Sequence, residues 1–108
     1  MRVLLDNCVD IRFREHIRGH DVVHTLDMGW GALSNGVLLA AAENAAFEVF
    51  VTVDKNLRHQ QNFAKRTIRL VVLNPRMVTL EYLAPLAPSL QSVLDRGEFS
   101  DAILVLDS

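Results

Sequence analysis

Apolar and polar positions alternate along this chain in short blocks whose period changes, and the change of period marks the elements. Val3-Leu4-Leu5 is an uninterrupted apolar run and predicts a buried strand. Val9, Phe13 and Ile17 then recur every four residues with Arg12, Arg14 and Arg18 mostly turned outward, which predicts an amphipathic helix ended by Gly19-His20-Asp21. Val22-Val23 reads as a second short strand. The segment Gly29 to Gly36 reads as a loop, with Ser34 as the N-cap of a helix whose apolar face is Val37, Leu38, Ala41, Ala42 and Ala45. Val49 to Val53 is the clearest strand, apolar or β-branched throughout, as a parallel strand covered on both faces should be. Asp54 closes it.

A polar helix is predicted over roughly Lys55 to Lys65, followed by a strand from Ile68 to Leu73 that Asn74-Pro75 terminates. Leu83, Leu86, Leu90, Val93 and Leu94 keep a helical rhythm from near Thr79 to Gly97, with Pro85 and Pro88 expected to kink or split that helix. Ala102 to Leu106 forms a fifth strand. Strands that alternate with helices in this way call for an α/β fold, a three-layer α/β/α arrangement around a mostly parallel sheet of four to five strands.

The chain has 108 residues, half of them apolar, with no repeat or low-complexity tract, so a single domain over residues 1–108 is expected. Cys8 is the only cysteine, which excludes an internal disulfide and a multi-cysteine zinc site and fits a reducing cytoplasm. The opening apolar run reaches Asp6 after three residues, so neither a signal peptide nor a membrane span is expected there. The net charge of −2 is unevenly spread. Residues 55–76 carry Lys55, Arg58, Lys65, Arg66, Arg69 and Arg76 and no acid, which makes this block the candidate for contact with a polyanion; a solvated face is the plainer reading.

The predicted topology brings distant residues together, because open α/β sheets bind ligands at the carboxyl ends of their strands. Asp6 follows the first strand and Asp54 the third, so both carboxylates project from one rim and can share a hydrated Mg²⁺ or Mn²⁺. For either aspartate alone, capping the helix behind it is the plainer reading; the matching positions of the two point to a site.

The runs Leu5-Asp6-Asn7-Cys8-Val9, Gly19-His20-Asp21-Val22-Val23, Gly29-Trp30 and Thr52-Val53-Asp54-Lys55-Asn56-Leu57 occur in the order and spacing of a bacterial family. From Met1 to about Val72 the chain resembles the small PIN-like domains assigned as toxin components of toxin-antitoxin loci. The resemblance implies a PIN-like fold and metal-dependent RNA cleavage, with Asp6 and Asp54 as catalytic residues. The family pattern has acids where this chain has Asn7, Asn35 and Asn56, so the resemblance makes these three amides neutral metal ligands or substrate contacts. Asn35-Gly36 and Gln60-Gln61-Asn62 match a subgroup of the family, and Gln60, Gln61 and Asn62 join Lys55, Arg58 and Trp30 as expected substrate contacts.

Trp30, between two glycines, is placed equally well by stacking on a base or by packing on the sheet. Cys8 has no histidine near it in sequence to act as its base, and Gly19 breaks the helix that would align His16, His20 and His24 on a zinc ion. The expected partners are RNA, an antitoxin protein and, in a homodimer, a second copy of the chain. The rival expectation is a PIN-like module that binds RNA or a protein without cleaving. A receiver-like phospho-acceptor domain is a third, opposed by Asn7 in place of a second acid and by Asn74 and Asp107 at the later strand ends.

Overall fold

The structure is a computed structural model that describes all residues, 1–108. Five strands form one sheet: β1 (Arg2–Leu5), β2 (Asp21–His24), β3 (Val49–Thr52), β4 (Arg69–Asn74) and β5 (Ile103–Asp107). They lie in the order β2-β1-β3-β4-β5, and every neighbouring pair is parallel. Four α-helices join them: α1 (Asn35–Asn44), α2 (Leu57–Gln60), α3 (Leu80–Leu83) and α4 (Ala87–Arg96). This is the three-layer α/β/α arrangement expected of a PIN-like domain, with the sheet wholly parallel. No helix is long and apolar enough to cross a membrane.

Strand side chains alternate between two cores. On the first face Val3, Leu5, Val49, Val51, Val71 and Leu73 meet Phe13, Leu83, Leu86, Leu90 and Leu94. On the second, Leu4, Phe50, Leu70 and Val72 meet Leu38, Leu39 and Ala42 of α1 together with Leu57 and Phe63. The β1 to β2 connection steps outward over the first face, whereas β2 to β3 and β3 to β4 step the other way over the second, so these three crossovers share one hand. The β4 to β5 connection steps like the last two yet passes over the first face through α3 and α4, and so reverses that hand. As a result no long helix covers the second face beyond β4.

Two predicted helices differ. The Val9-Phe13-Ile17 spacing forms a 3-10 helix over Ile11–His16, opened by Asp10, whose carboxylate accepts the Arg12 N–H. At roughly 2.0 Å per residue, six residues of 3-10 helix run about 12 Å, close to the length of a four-residue strand, so the tighter winding lets a short segment span the sheet. The polar helix expected from Lys55 to Lys65 is instead the single turn α2 and a 3-10 turn over Phe63–Lys65, with Gln61 extended between them. Leu57 and Phe63 are both 1% exposed. Six residues of continuous α-helix would turn them about 120° apart, so the helix breaks for both to reach the sheet.

The prolines act as expected: α3 stops at Leu83, a 3-10 turn covers Ala84–Leu86, and α4 follows with Pro88 in its first turn. Gly97 ends α4 at φ 68°, a left-handed conformation that favours glycine. Ser34 stands at the N-cap of α1, but its side chain makes no capping bond.

Candidate functional site

The order β2-β1-β3-β4-β5 reverses direction between β1 and β3. Ahead of these strands, at their carboxyl ends, the connections leave toward opposite faces, which is where open α/β sheets bind ligands. Asp6 follows β1 there, and Asp54 follows β3. The register pairs Leu5 with Val51, and the Asp6 N–H continues the ladder by donating to the Val51 carbonyl at 2.8 Å.

One buried hydroxyl joins the two aspartates. Thr52, the last residue of β3 and fully buried, donates to Asp6 Oδ2 at 2.7 Å and accepts the Asp54 N–H at 3.0 Å. Asp6 Oδ1 accepts the Asn7 N–H at 2.7 Å. Cys8 Sγ lies 3.4 Å from both Asp6 Oδ2 and Thr52 Oγ1. Asp6 is 9% exposed, so its carboxylate is held by these donors with little help from water. Asp54 Oδ1 accepts the Asn56 N–H at 2.9 Å, while its other oxygen has no protein partner. The capping role falls to other residues: Asp10 caps the 3-10 helix and Asn56 stands at the N-cap of α2, while Asp54 Oδ1 closes only the turn before it.

Cys8 is exposed as a residue, but its sulfur is tucked against Thr52 and Asp6. That desolvation pushes the thiol pKa up, and the negative charge of Asp6 acts in the same direction. The group therefore remains a thiol at neutral pH and is a poor nucleophile.

The amides divide. Asn56 sits beside Asp54 through its backbone. Asn7 lies over Gly31, where a Cβ would make only an ordinary 3.4 Å contact with its Oδ1. Asn35 donates to Gln60 at 3.4 Å, which ties the start of α1 to α2. Gln61 accepts from Arg66 at 3.1 Å, and Arg66 pairs with Glu43 of α1 at 2.7 Å, so Gln61 and Arg66 hold the second-face layer together. Asn62 is exposed in the break before the Phe63 turn. Trp30 packs edge-on against Phe47, with ring centroids 6.1 Å apart, on the second-face core and apart from the aspartates.

The basic block is split by the fold. Lys55 and Arg58 stand at the carboxyl rim next to Asp54, where neither forms an ion pair. The histidines also separate: His20 bridges the N-terminal amine and Asp95, and His24 is buried with both ring nitrogens engaged.

No three His, Cys, Asp or Glu side chains gather at one point. Two carboxylates, one with an unpartnered oxygen, fit an ion that keeps most of its water, as Mg²⁺ does, and do not form a cage of protein ligands. Thr52 is the member of this site that the sequence reading missed. Its only signal was a hydroxyl residue ending an otherwise apolar strand beside an aspartate. Comparison of the chain with family models, curated proteins and solved structures finds no match.

Proposed function

We propose that this chain is a divalent-metal-dependent ribonuclease of PIN-like type, the toxin of a toxin-antitoxin pair. The observation that carries the reading is the Asp6–Thr52–Asp54 linkage at the reversal of strand order. Two carboxylates on one rim, held by a shared buried hydroxyl, would form a preorganised anionic site at the position where open α/β sheets bind ligands. Asp6 and Asp54 would hold Mg²⁺ or Mn²⁺, with Asn56 beside them; such an ion polarises a phosphate and acidifies a water. Asp6 supplies a fixed charge, since three donors set its orientation. Asp54 supplies the carboxylate oxygen without a protein partner. Lys55 and Arg58, unpaired and next in sequence, draw the phosphate backbone to the rim.

The second reading, an RNA-binding module without catalysis, draws on the amides at positions 7, 35 and 56 and on the limit of two carboxylates. One assay separates the two. Labelled single-stranded RNA is incubated with the protein and Mn²⁺, with and without EDTA, and with Asp6→Asn and Asp54→Asn. Cleavage that needs the metal and both aspartates, in variants that keep the wild-type circular dichroism, supports the nuclease. Binding without cleavage supports the module, and neither binding nor cleavage excludes both.

A further inference from the structure

A cleft opens on the same rim, beginning at Lys55, the residue after Asp54. It has a volume of about 330 Å³ and is lined by Lys55, Arg58, Val72, Asn74, Val105 and Asp107. Its origin lies in the reversed crossover: α3 and α4 cover the first face, so Val105 on the second face is left half-buried at the floor of an open space, beside the core residue Val72. The volume falls near the lower end of the roughly 300–1,000 Å³ typical of small-molecule sites.

The lining has three chemistries in order. Lys55 and Arg58 come from the turn after β3 and are exposed cations without carboxylate partners. Val105, beside Val72, is an apolar floor. Asn74 and Asp107, paired across the ends of β4 and β5, form the far wall, where Asn74 Nδ2 donates to Asp107 Oδ1 at 2.7 Å. This bond leaves Asp107 Oδ2 and Asn74 Oδ1 without hydrogen-bond partners. Both are acceptors, and they face a cleft whose opposite side is cationic. With Asp107 counted against Lys55 and Arg58, the lining carries a net charge of +1.

We infer that this cleft is a nucleotide subsite, which seats one residue of the RNA strand that the proposed function brings to the rim. The phosphate lies against Lys55 and Arg58, the base lies on the half-buried Val105, and an exocyclic amine of the base donates to Asp107 and Asn74. Carboxylates read such amines, the N4 amine of cytosine among them. The inference rests on the RNA reading of the preceding section but not on catalysis. The adjacency of Lys55 to Asp54 puts this residue of the strand next to the one at the aspartates.

The test titrates ¹⁵N-labelled protein, without metal, with inorganic phosphate, cytidine 5′-monophosphate and a short single-stranded oligocytidylate. The mononucleotide is expected to shift the amides of Lys55, Arg58, Asn74 and Asp107 and to bind about tenfold tighter than phosphate, the increment coming from the buried base. The oligomer should bind tighter still. Asp107→Ala gives effects of opposite sign, since losing a carboxylate tightens phosphate while losing the acceptor weakens the mononucleotide. Equal affinity for phosphate and mononucleotide, or an Asp107→Ala variant that tightens both, would reduce the cleft to a basic patch and overturn the inference. An oligomer no tighter than the mononucleotide would overturn the placement of an RNA strand there. Because the readout is metal-free binding, its failure leaves the cleavage assay standing, and a failure of cleavage leaves this assay standing.

Discussion

Thr52 Oγ1 donates to the Asp6 carboxylate at 2.7 Å and accepts the Asp54 N–H at 3.0 Å, so one buried hydroxyl fixes both sides of the rim. Thr52→Val keeps the shape and removes the bonds, leaving a buried carboxylate oxygen and a backbone N–H short of a partner. The expected cost is about 1–3 kcal/mol in denaturant unfolding, with loss of metal-dependent cleavage. Thr52→Ser restores the hydroxyl and should recover the activity at a smaller cost in stability. A valine variant as active as wild type would remove Thr52 from the site.

The three asparagines should respond differently to added charge. Asn56→Asp brings a carboxylate beside Asp54 and is expected to tighten Mn²⁺ binding, measured by calorimetry. Asn35→Asp replaces an amide that donates to Gln60, so its main effect should be on the α1–α2 contact and on melting temperature. Equal gains in Mn²⁺ affinity from both would place Asn35 at the ion as well.

His24 is 1% exposed; its Nε2 donates to the Val9 carbonyl at 2.8 Å, and its Nδ1 accepts the Leu26 N–H at 3.1 Å. The ring is therefore assigned as the neutral Nε2–H tautomer, and it ties the loop after β1 to the loop after β2. His24→Leu leaves two backbone groups unpaired, at a cost of about 1–3 kcal/mol. Urea unfolding reads this, and a change under about 0.5 kcal/mol would mean that water replaces the ring.

Acid should destabilise the fold through carboxylates whose pKa values are depressed. The Asp10 pKa is lowered to about 2 by hydrogen bonds from the Arg12 side chain and N–H. Glu43 is lowered too: burial opposes the shift, but bonds from Thr67, Arg66 and the Ile68 N–H outweigh it. Asp95 is lowered first by its bond with His20. A depressed carboxylate contributes stability that is complete above its unfolded pKa, near 4, and is lost as pH falls through the folded one. Melting temperature should therefore hold at neutral pH and decline below about pH 4. Glu43→Gln should flatten that decline, since Glu43 joins α1 to Arg66 and Thr67.

The strands were legible because a parallel strand buried on both faces needs an apolar run, and Val49 to Val53 has little other use. The shared rim of Asp6 and Asp54 followed from strand alternation alone. The break at Gln61 was not legible. The polar residues from Lys55 to Lys65 look like the outer face of a helix, and the need for Leu57 and Phe63 to reach one core is visible only once the sheet is in place. Thr52 was hidden for a similar reason: in sequence it is a β-branched strand residue, and its bonds depend on the β1–β3 register. Trp30 shows how a lone aromatic in a glycine-rich loop is settled by its neighbour, since Phe47 is distant in sequence.

The claim on which the proposed function depends is that Asp6 and Asp54 together hold a divalent ion. Titration of ¹⁵N-labelled protein with substoichiometric Mn²⁺ locates such an ion by the amide signals it broadens. Broadening is expected to centre on Asp6, Asn7, Asp54, Lys55 and Asn56, to be absent at Asp95 and Gly97, and to be abolished by Asp6→Ala in a folded variant. Broadening centred elsewhere, or unchanged in Asp6→Ala, would contradict the claim.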